Sequence, residues 1–321
     1  MLPVGWLKDD AEQALSKHVG APVTIATIER ENAFSFAPVI RAARIAIPQP
    51  KWAGPGMLAT VQDLRVRVNV FALLFGKAKP QLLSASGVTL NLVRDADQRV
   101  NWRTGPQSPG ADGPNLADLQ KIDGIVDYRD AFQQRAFRVS FRLDPDRGLS
   151  AQGRGDVAGN AVAIRAKAAA PRSGNWPFDL SLKGDALTIQ IDGAMAEPFD
   201  AARMKFKTKA RANDLKLIDR VIEAGLFGTQ PVDLAAQVER DGERWNISSL
   251  SGTIGSSDID GKATIVKSGT GATLDASIRS RQLDFEDLAS DEGNASARAL
   301  EQSLGLKAVP NTRVNIEKIA L

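Results

Sequence analysis

Five basic residues alternate through one short segment and could bind a charged ligand. They are Arg203, Lys205, Lys207, Lys209 and Arg211, with no acidic residue between them. Alternate side chains of a strand share one face, so these cations would form a ridge that binds lipid phosphates or another polyanion. The alternative is the solvated face of a surface or edge strand, where lysine also discourages edge pairing. We take Lys205, Lys207 and Lys209 as candidate headgroup contacts.

The composition excludes several kinds of chemistry. The chain has no cysteine and one histidine, His18, so disulfides, thiolate sites and multi-histidine metal sites are excluded. The carboxylates are scattered, and no pair of them can be assigned acid and base roles. The sequence has no nucleophile elbow and no phosphate-binding loop. We therefore expect a protein that is not an enzyme and that has no metal and no cofactor.

Length and charge narrow the class of protein further. The chain has 321 residues, 43% of them hydrophobic, which is enough to bury a large core. Lys plus Arg is 41 and Asp plus Glu is 38, so the net charge is only +3. This balance argues against nucleic-acid binding driven by overall charge. No apolar run reaches the length of about 18 residues that would span a bilayer.

Apolar and polar residues alternate with period two along most of the chain. Residues 64–70, 137–143 and 187–191 are apolar at every second position. This pattern is typical of strands with one apolar face and one face in water, as antiparallel sheets allow. Gly, Asn and Asp lie between the alternating runs, as in 144–148 and 240–242, where hairpin turns need them. The sequence predicts a mainly β protein with a long antiparallel sheet.

Helical patterns are few. Residues 6–19 carry a helical apolar stripe that Gly20 ends, and Asp214 is a suitable N-cap for a second short helix closed by Gly225. The alternating run still continues at Leu321, so we expect further strands beyond it in a longer protein. The predicted organisation is a helix plus first meander (1–103), a loop (104–114), a continuing sheet with a helix near 214–224 (115–289), a linker or short helix (290–309) and the start of another strand (310–321).

So few helices would leave much of the apolar face without cover. The sheet would then fold onto itself as a sandwich, or curl into a trough that shelters acyl chains. Alternation does not separate these alternatives, because both place one face of each strand away from water. The sandwich would be a structural or interaction module with a dry core. The predicted trough lining is Val66, Val68, Leu90, Leu92, Val139, Phe141, Leu180 and Ile189.

Five motifs in chain order resemble the AsmA family of Gram-negative bacteria. Residues 45–53 are similar to a strand ending in an "NPxWA" turn, with Gln49 in place of the usual asparagine. Residues 90–102 resemble an "LxLxRDxxGxxNW" hairpin whose glycine is replaced near Gln98. The other three are the opening helix with the strand at 20–25, a strand with an "LLxG"-like element at 64–76, and a "GxSDLxG…LxSxxLDLxDL"-like pattern at 250–288.

The resemblance implies a periplasmic protein whose parent is anchored in the inner membrane by an N-terminal helix that this chain lacks. It also implies a curled β-sheet with an apolar groove, related to TamB and to bridge-like lipid-transfer proteins. Members of the family are implicated in phospholipid transport to the outer membrane and in outer-membrane homeostasis. The expected partners are phospholipids, the inner membrane and envelope proteins, and no nucleic acid.

Overall fold

The computed structural model describes residues 5–31, 38–67, 81–102, 121–172, 174–226, 228–268, 271–288 and 315–320. Within these ranges the chain is mainly β-strand, as predicted, with two α-helices and two 3₁₀ turns. The helices are α1 (Gly5–Val19) and α2 (Leu215–Ile222), and the 3₁₀ turns are Lys51–Ala53 and Phe285–Leu288. The strands are β1 (Thr24–Arg30), β2 (Val39–Pro48), β3 (Met57–Arg67), β4 (Gln81–Arg94), β5 (Lys121–Asp130), β6 (Arg135–Asp144), β7 (Gly148–Val157), β8 (Asn160–Ala168), β9 (Trp176–Lys183), β10 (Leu187–Met195), β11 (Arg203–Ala212), β12 (Val232–Asp241), β13 (Arg244–Ile254), β14 (Ser257–Ser268), β15 (Gly271–Arg279) and β16 (Asn315–Ala320).

The strands form one sheet in which each strand neighbours the next one along the chain. Pairing is antiparallel from β1 to β4 and from β8 to β16. The pair β4 and β5 is parallel, with Ser84 opposite Lys121 and Arg94 opposite Asp130. A parallel pair needs a crossover of a dozen or more residues, and residues 95–120 provide that length. The expectation of an antiparallel sheet is therefore wrong for this pair.

The chain divides into two compact units. Unit 1 comprises Met1–Phe132, Ala136–Arg154 and Ala169–Arg172, and unit 2 comprises Gln133–Arg135, Gly155–Ala168 and Ser173–Leu321. The predicted loop 104–114 and the predicted linker 290–309 both fall where the chain is not described, and β16 lies within the predicted strand 310–321.

The core of unit 1 joins α1 to the first strands. Val23, Ile25, Ala42 and Ile45 are buried together, and Val19 of α1 packs against them. Two side chains of α1 also hold the start of β1. The Ser16 hydroxyl accepts a hydrogen bond from the Val23 backbone N–H (2.8 Å), and the Glu12 carboxylate accepts one from the Ile25 N–H (2.7 Å).

Two of the motifs that carry the family resemblance meet in unit 1 as a network that shapes turns. Gln49 donates from its amide to the carbonyls of Ala53 (3.1 Å) and Gly54 (3.0 Å), which closes the 3₁₀ turn. Asn101 is fully buried, donates to the Gln49 side-chain oxygen (3.3 Å), and accepts from the Val93 N–H (2.9 Å). Gln98 adopts φ +65°, the left-handed conformation for which a glycine is the usual residue. These residues set the geometry of the hairpin after β4.

The later motif forms a similar network in unit 2. The Asp287 carboxylate accepts from the backbone N–H groups of Ser256 and Ser257 (both 2.9 Å) and from both of their hydroxyls. Gly255 has φ +56°, and a Cβ there would collide with the Asp287 carboxylate. The 3₁₀ turn Phe285–Leu288 is thereby fixed to the β13–β14 turn.

Helix α2 begins at the predicted N-cap. The Asp214 carboxylate accepts from the Lys216 N–H (2.8 Å) and the Thr229 N–H (2.9 Å). The C-cap of the helix is Glu223, which is left-handed at φ +53° and lies two residues before the predicted Gly225. Among the described residues, no helix has the length and apolar character needed to cross a membrane.

Candidate functional site

The core of unit 2 lies on one side of its sheet. Phe206, Val238, Trp245, Ile265 and Leu274 are buried there, and Ile222, Ala224 and Leu226 pack against the same cluster. We call this side the apolar face and the opposite side the polar face. Because consecutive side chains of a strand alternate between faces, the strand register assigns each residue to one of them.

A row of five half-buried residues crosses the centre of the apolar face. Each member is the cross-strand partner of the next, so the row runs across the strands from β8 to β12. This central row is Ala166, Leu180, Ile191, Thr208 and Ala236. Its only polar group is the Thr208 hydroxyl.

More deeply buried rows flank the central row on both sides. On one side, Leu182, Ile189 and Ala210 are buried, with Ile189 only 2% exposed. On the other side, Phe206 and Val238 are buried, whereas Phe178 and Gly193 of the same row are half-buried. From β9 to β12, each member of the central row therefore has a more deeply buried neighbour on at least one side.

A cavity of about 740 Å³ lies where the central row crosses the sheet. Its lining includes all five row members together with the residues next to them in sequence, among them Lys207 and Lys209. None of the buried apolar residues beside the central row is part of the lining. By the strand register, most of the lining side chains therefore belong to the polar face.

The structure divides the predicted trough residues between the two units. Leu180 and Ile189 share the apolar face of unit 2, and Leu180 belongs to the central row. The unit 1 residues Val66, Leu90, Leu92, Val139 and Phe141 are all half-buried in β3, β4 and β6. Leu90 and Leu92 lie opposite Val126 and Tyr128 of β5, whereas Val66 lies opposite Ile40 and Leu82. Val68 lies outside the described residues.

The basic ridge lies on the polar face of a strand that has a neighbour on each side. Thr208 is opposite Ile191, so Lys207 and Lys209 point away from the central row. Lys205 pairs with Glu239 (2.9 Å), and the Arg211 Nε donates to Asp233 (3.0 Å). These carboxylates offset part of the positive charge of the ridge.

A carboxylate also offsets the charge of Arg203, the first cation of the ridge. Arg203 donates from Nε to Asp200 (2.7 Å), and this hydrogen bond holds the pKa of Asp200 below its usual value. Lys207 and Lys209 have no carboxylate within 4.0 Å in the part of the chain that the structure describes.

Sequence reasoning missed a cation on the apolar face itself. Arg240 of β12 lies opposite Met204 of β11 and Trp245 of β13. Its guanidinium carbon is 4.7 Å from the centroid of the Trp245 ring. A signal for this placement exists in the sequence, because Arg240 continues the alternating series of Leu234, Ala236 and Val238.

Trp245 carries a second polar group on this face. Its side chain is buried, with the residue 4% exposed, and the indole Nε1–H has no hydrogen-bond acceptor among the described residues. A buried indole N–H normally has a partner. Arg240 and Trp245 therefore place a cation and an unpaired donor side by side at one end of the apolar rows.

A comparison with the sequence profiles of known protein families finds none that matches this chain, and a comparison with curated protein sequences finds no significant relative.

Proposed function

We propose that this is an AsmA-like periplasmic protein that supports phospholipid transport between the inner and outer membranes and outer-membrane homeostasis. In this proposal the protein is not an enzyme, and it shelters acyl chains on the apolar face of its sheet. The observation that carries it is the central row, whose members stay half-buried on the apolar face of five adjacent strands. A half-exposed, largely apolar strip of this kind suits a hydrocarbon chain.

The energetics of the central row favour an acyl chain. Removing a methylene from water stabilises a complex by roughly 0.8 kcal/mol. The row crosses four gaps between strands of about 4.8 Å each, so it extends roughly 19 Å. Successive positions have similar apolar surroundings, so a chain could move along the row with little change in free energy.

The five motifs of the resemblance support the family and the location. They occur in the family's order, and several of their polar residues organise turns that space the strands. The proposed parent is anchored in the inner membrane of a Gram-negative bacterium, with phospholipids and envelope proteins as partners.

Photocrosslinking to a radiolabelled phospholipid tests the acyl-chain site. We would place benzoylphenylalanine at Leu180 or at Ile191, both in the central row. The matched controls carry the probe at Lys183 of β9 or at Thr188 of β10, which lie on the polar face and outside the lining of the cavity. We expect crosslinks from Leu180 and Ile191 and much weaker ones from the two controls.

Two results would contradict the proposal. One is the absence of crosslinks at all four positions in folded protein offered phospholipid vesicles. The other is equal crosslinking on both faces, which indicates non-specific adsorption. Either result favours the rival interpretation of a structural or interaction module of the envelope.

A further inference from the structure

We propose that Arg240 and Trp245 bind the acidic group of an anionic amphiphile, a phosphate or carboxylate attached to an acyl chain. This inference rests on the proposed function and deepens it, because it assigns the headgroup end of the same apolar face. In this proposal Arg240 and Trp245 replace Lys205, Lys207 and Lys209 as the residues that contact the headgroup.

Arg240 has the free donors that such a headgroup needs. Its Nε donates to the Gly242 carbonyl (3.0 Å), and its terminal nitrogens have no acceptor among the described residues. None of the described carboxylates lies within 4.0 Å of it, in contrast to Lys205 and Arg211 of the ridge. A planar guanidinium binds phosphate and carboxylate through two parallel hydrogen bonds.

Trp245 supplies a neutral donor beside this cation. The indole nitrogen is donor-only, and a buried N–H without an acceptor is rare enough to need an explanation. The Arg240 guanidinium carbon lies 4.7 Å from the centroid of the Trp245 ring, so the two donors belong to adjacent side chains of one face. The pair therefore suits an anion with at least two oxygens.

The position of the pair explains why the anion should carry an acyl chain. Arg240 is four residues along β12 from Ala236 of the central row, a distance of about 13 Å in an extended strand. Val238 lies between them on the same face and is buried. An amphiphile with its acid at Arg240 can thus lay its chain over Val238 toward the central row.

This site can be tested by NMR of the tryptophan indole N–H groups, recorded on the full chain labelled with ¹⁵N. The probe is lysophosphatidylglycerol, with a monoacylglycerol of the same chain length and inorganic phosphate as comparison ligands. We expect the Trp245 N–H signal, assigned by its loss in Trp245→Phe, to shift downfield with the lysophospholipid only. Arg240→Gln should weaken that binding at least about tenfold, as expected for a lost charge-assisted hydrogen bond.

Arg244→Gln is the matched control. Arg244 lies in the same β12–β13 hairpin but is exposed and adjacent in sequence to Trp245, so it points to the polar face. It should leave the affinity and the Trp245 shift unchanged.

Three outcomes would overturn the inference. They are a Trp245 signal unmoved by the lysophospholipid, an equal shift with inorganic phosphate alone, and equal weakening by Arg240→Gln and Arg244→Gln. Crosslinking at Leu180 separates this failure from that of the proposed function. If Leu180 still crosslinks to phospholipid, acyl binding stands and only the headgroup assignment is wrong.

Discussion

Single polar residues in this protein act chiefly by holding turns. Asp258 is the strongest example, since its carboxylate accepts from the Gln282 N–H (2.9 Å), the Arg281 Nε (3.0 Å) and the Ser280 hydroxyl (3.0 Å). The Gln282 N–H first and the Arg281 guanidinium second hold the pKa of Asp258 well below its usual value, against the opposing effect of burial. These bonds join the start of β14 to the segment after β15.

The lowered pKa of Asp258 predicts a pH-dependent contribution to stability. The unfolded chain binds the proton more tightly than the folded one, so the contribution is complete above the unfolded pKa of about 4 and declines as the pH falls below it. Asp258→Asn should therefore destabilise the protein more at pH 7 than at pH 3. Denaturant unfolding at the two pH values measures the difference.

Asp260→Asn is the control for this prediction. Asp260 is exposed two residues along the same strand and makes no side-chain hydrogen bond to another described residue. A loss of stability in Asp258→Asn that is the same at both pH values would contradict the electrostatic explanation.

At the scale of elements, helix α2 is held at both ends. Asp214 caps its first turn, and Arg135 binds its last carbonyls, those of Arg220 (2.7 Å) and Val221 (2.8 Å). Arg135 also pairs with Glu223. A cation at a helix C-terminus satisfies carbonyls that have no partner within the helix and offsets the helix dipole. The short helix is thus stabilised by a residue about 85 positions away in sequence.

Arg135→Met should destabilise unit 2 by about 2–4 kcal/mol, because it leaves two carbonyls and Glu223 without their partner. The side chain of Arg135 is only 9% exposed, so water replaces it poorly. Arg138→Met is the control on the same strand. Its side chain is 68% exposed and pairs with Asp127, and such surface pairs contribute less than about 1 kcal/mol. Equal losses in chemical denaturation of the two variants would contradict this role of Arg135.

At the scale of the whole molecule, each strand pairs with its neighbours in the chain. Stability in such an arrangement depends mainly on contacts between neighbouring segments, as in repeat proteins. The division into two compact units is consistent with this local pattern. We expect a core defect in one unit to leave local protection in the other.

Ile265→Ala tests this independence. Ile265 is 1% exposed in the core of unit 2, and its truncation should cost about 2–5 kcal/mol. Hydrogen exchange should accelerate in β13, β14 and β15 while the amides of β2 and β3 remain protected. Lys262→Ala, on the polar face of β14, is the control and should change neither. Equal acceleration in β2 and β3 would show that the chain opens as one unit.

The local chemistry of the chain was sufficient to predict the mainly β fold, the apolar side of most strands and the Asp214 cap. Side-chain alternation and N-capping depend on residues a few positions apart, so the sequence carries them directly. For the same reason the alternation places Leu180 and Ile189 on the apolar sides of their own strands, and the register of β9 with β10 brings those sides to one face.

Only the tertiary structure decided the parallel pairing of β4 with β5 and the contact of Arg135 with α2. It also decided that, among the described residues, no carboxylate pairs with Arg240 and no acceptor meets the Trp245 indole. Each depends on which distant segments become neighbours, and residue types do not encode that locally. The same holds for the basic ridge, whose cations were visible in the sequence, whereas the acids that pair with Lys205 and Arg211 came from β12. Cross-strand register, rather than the composition of any one strand, determines which charges are compensated and which remain available to a ligand.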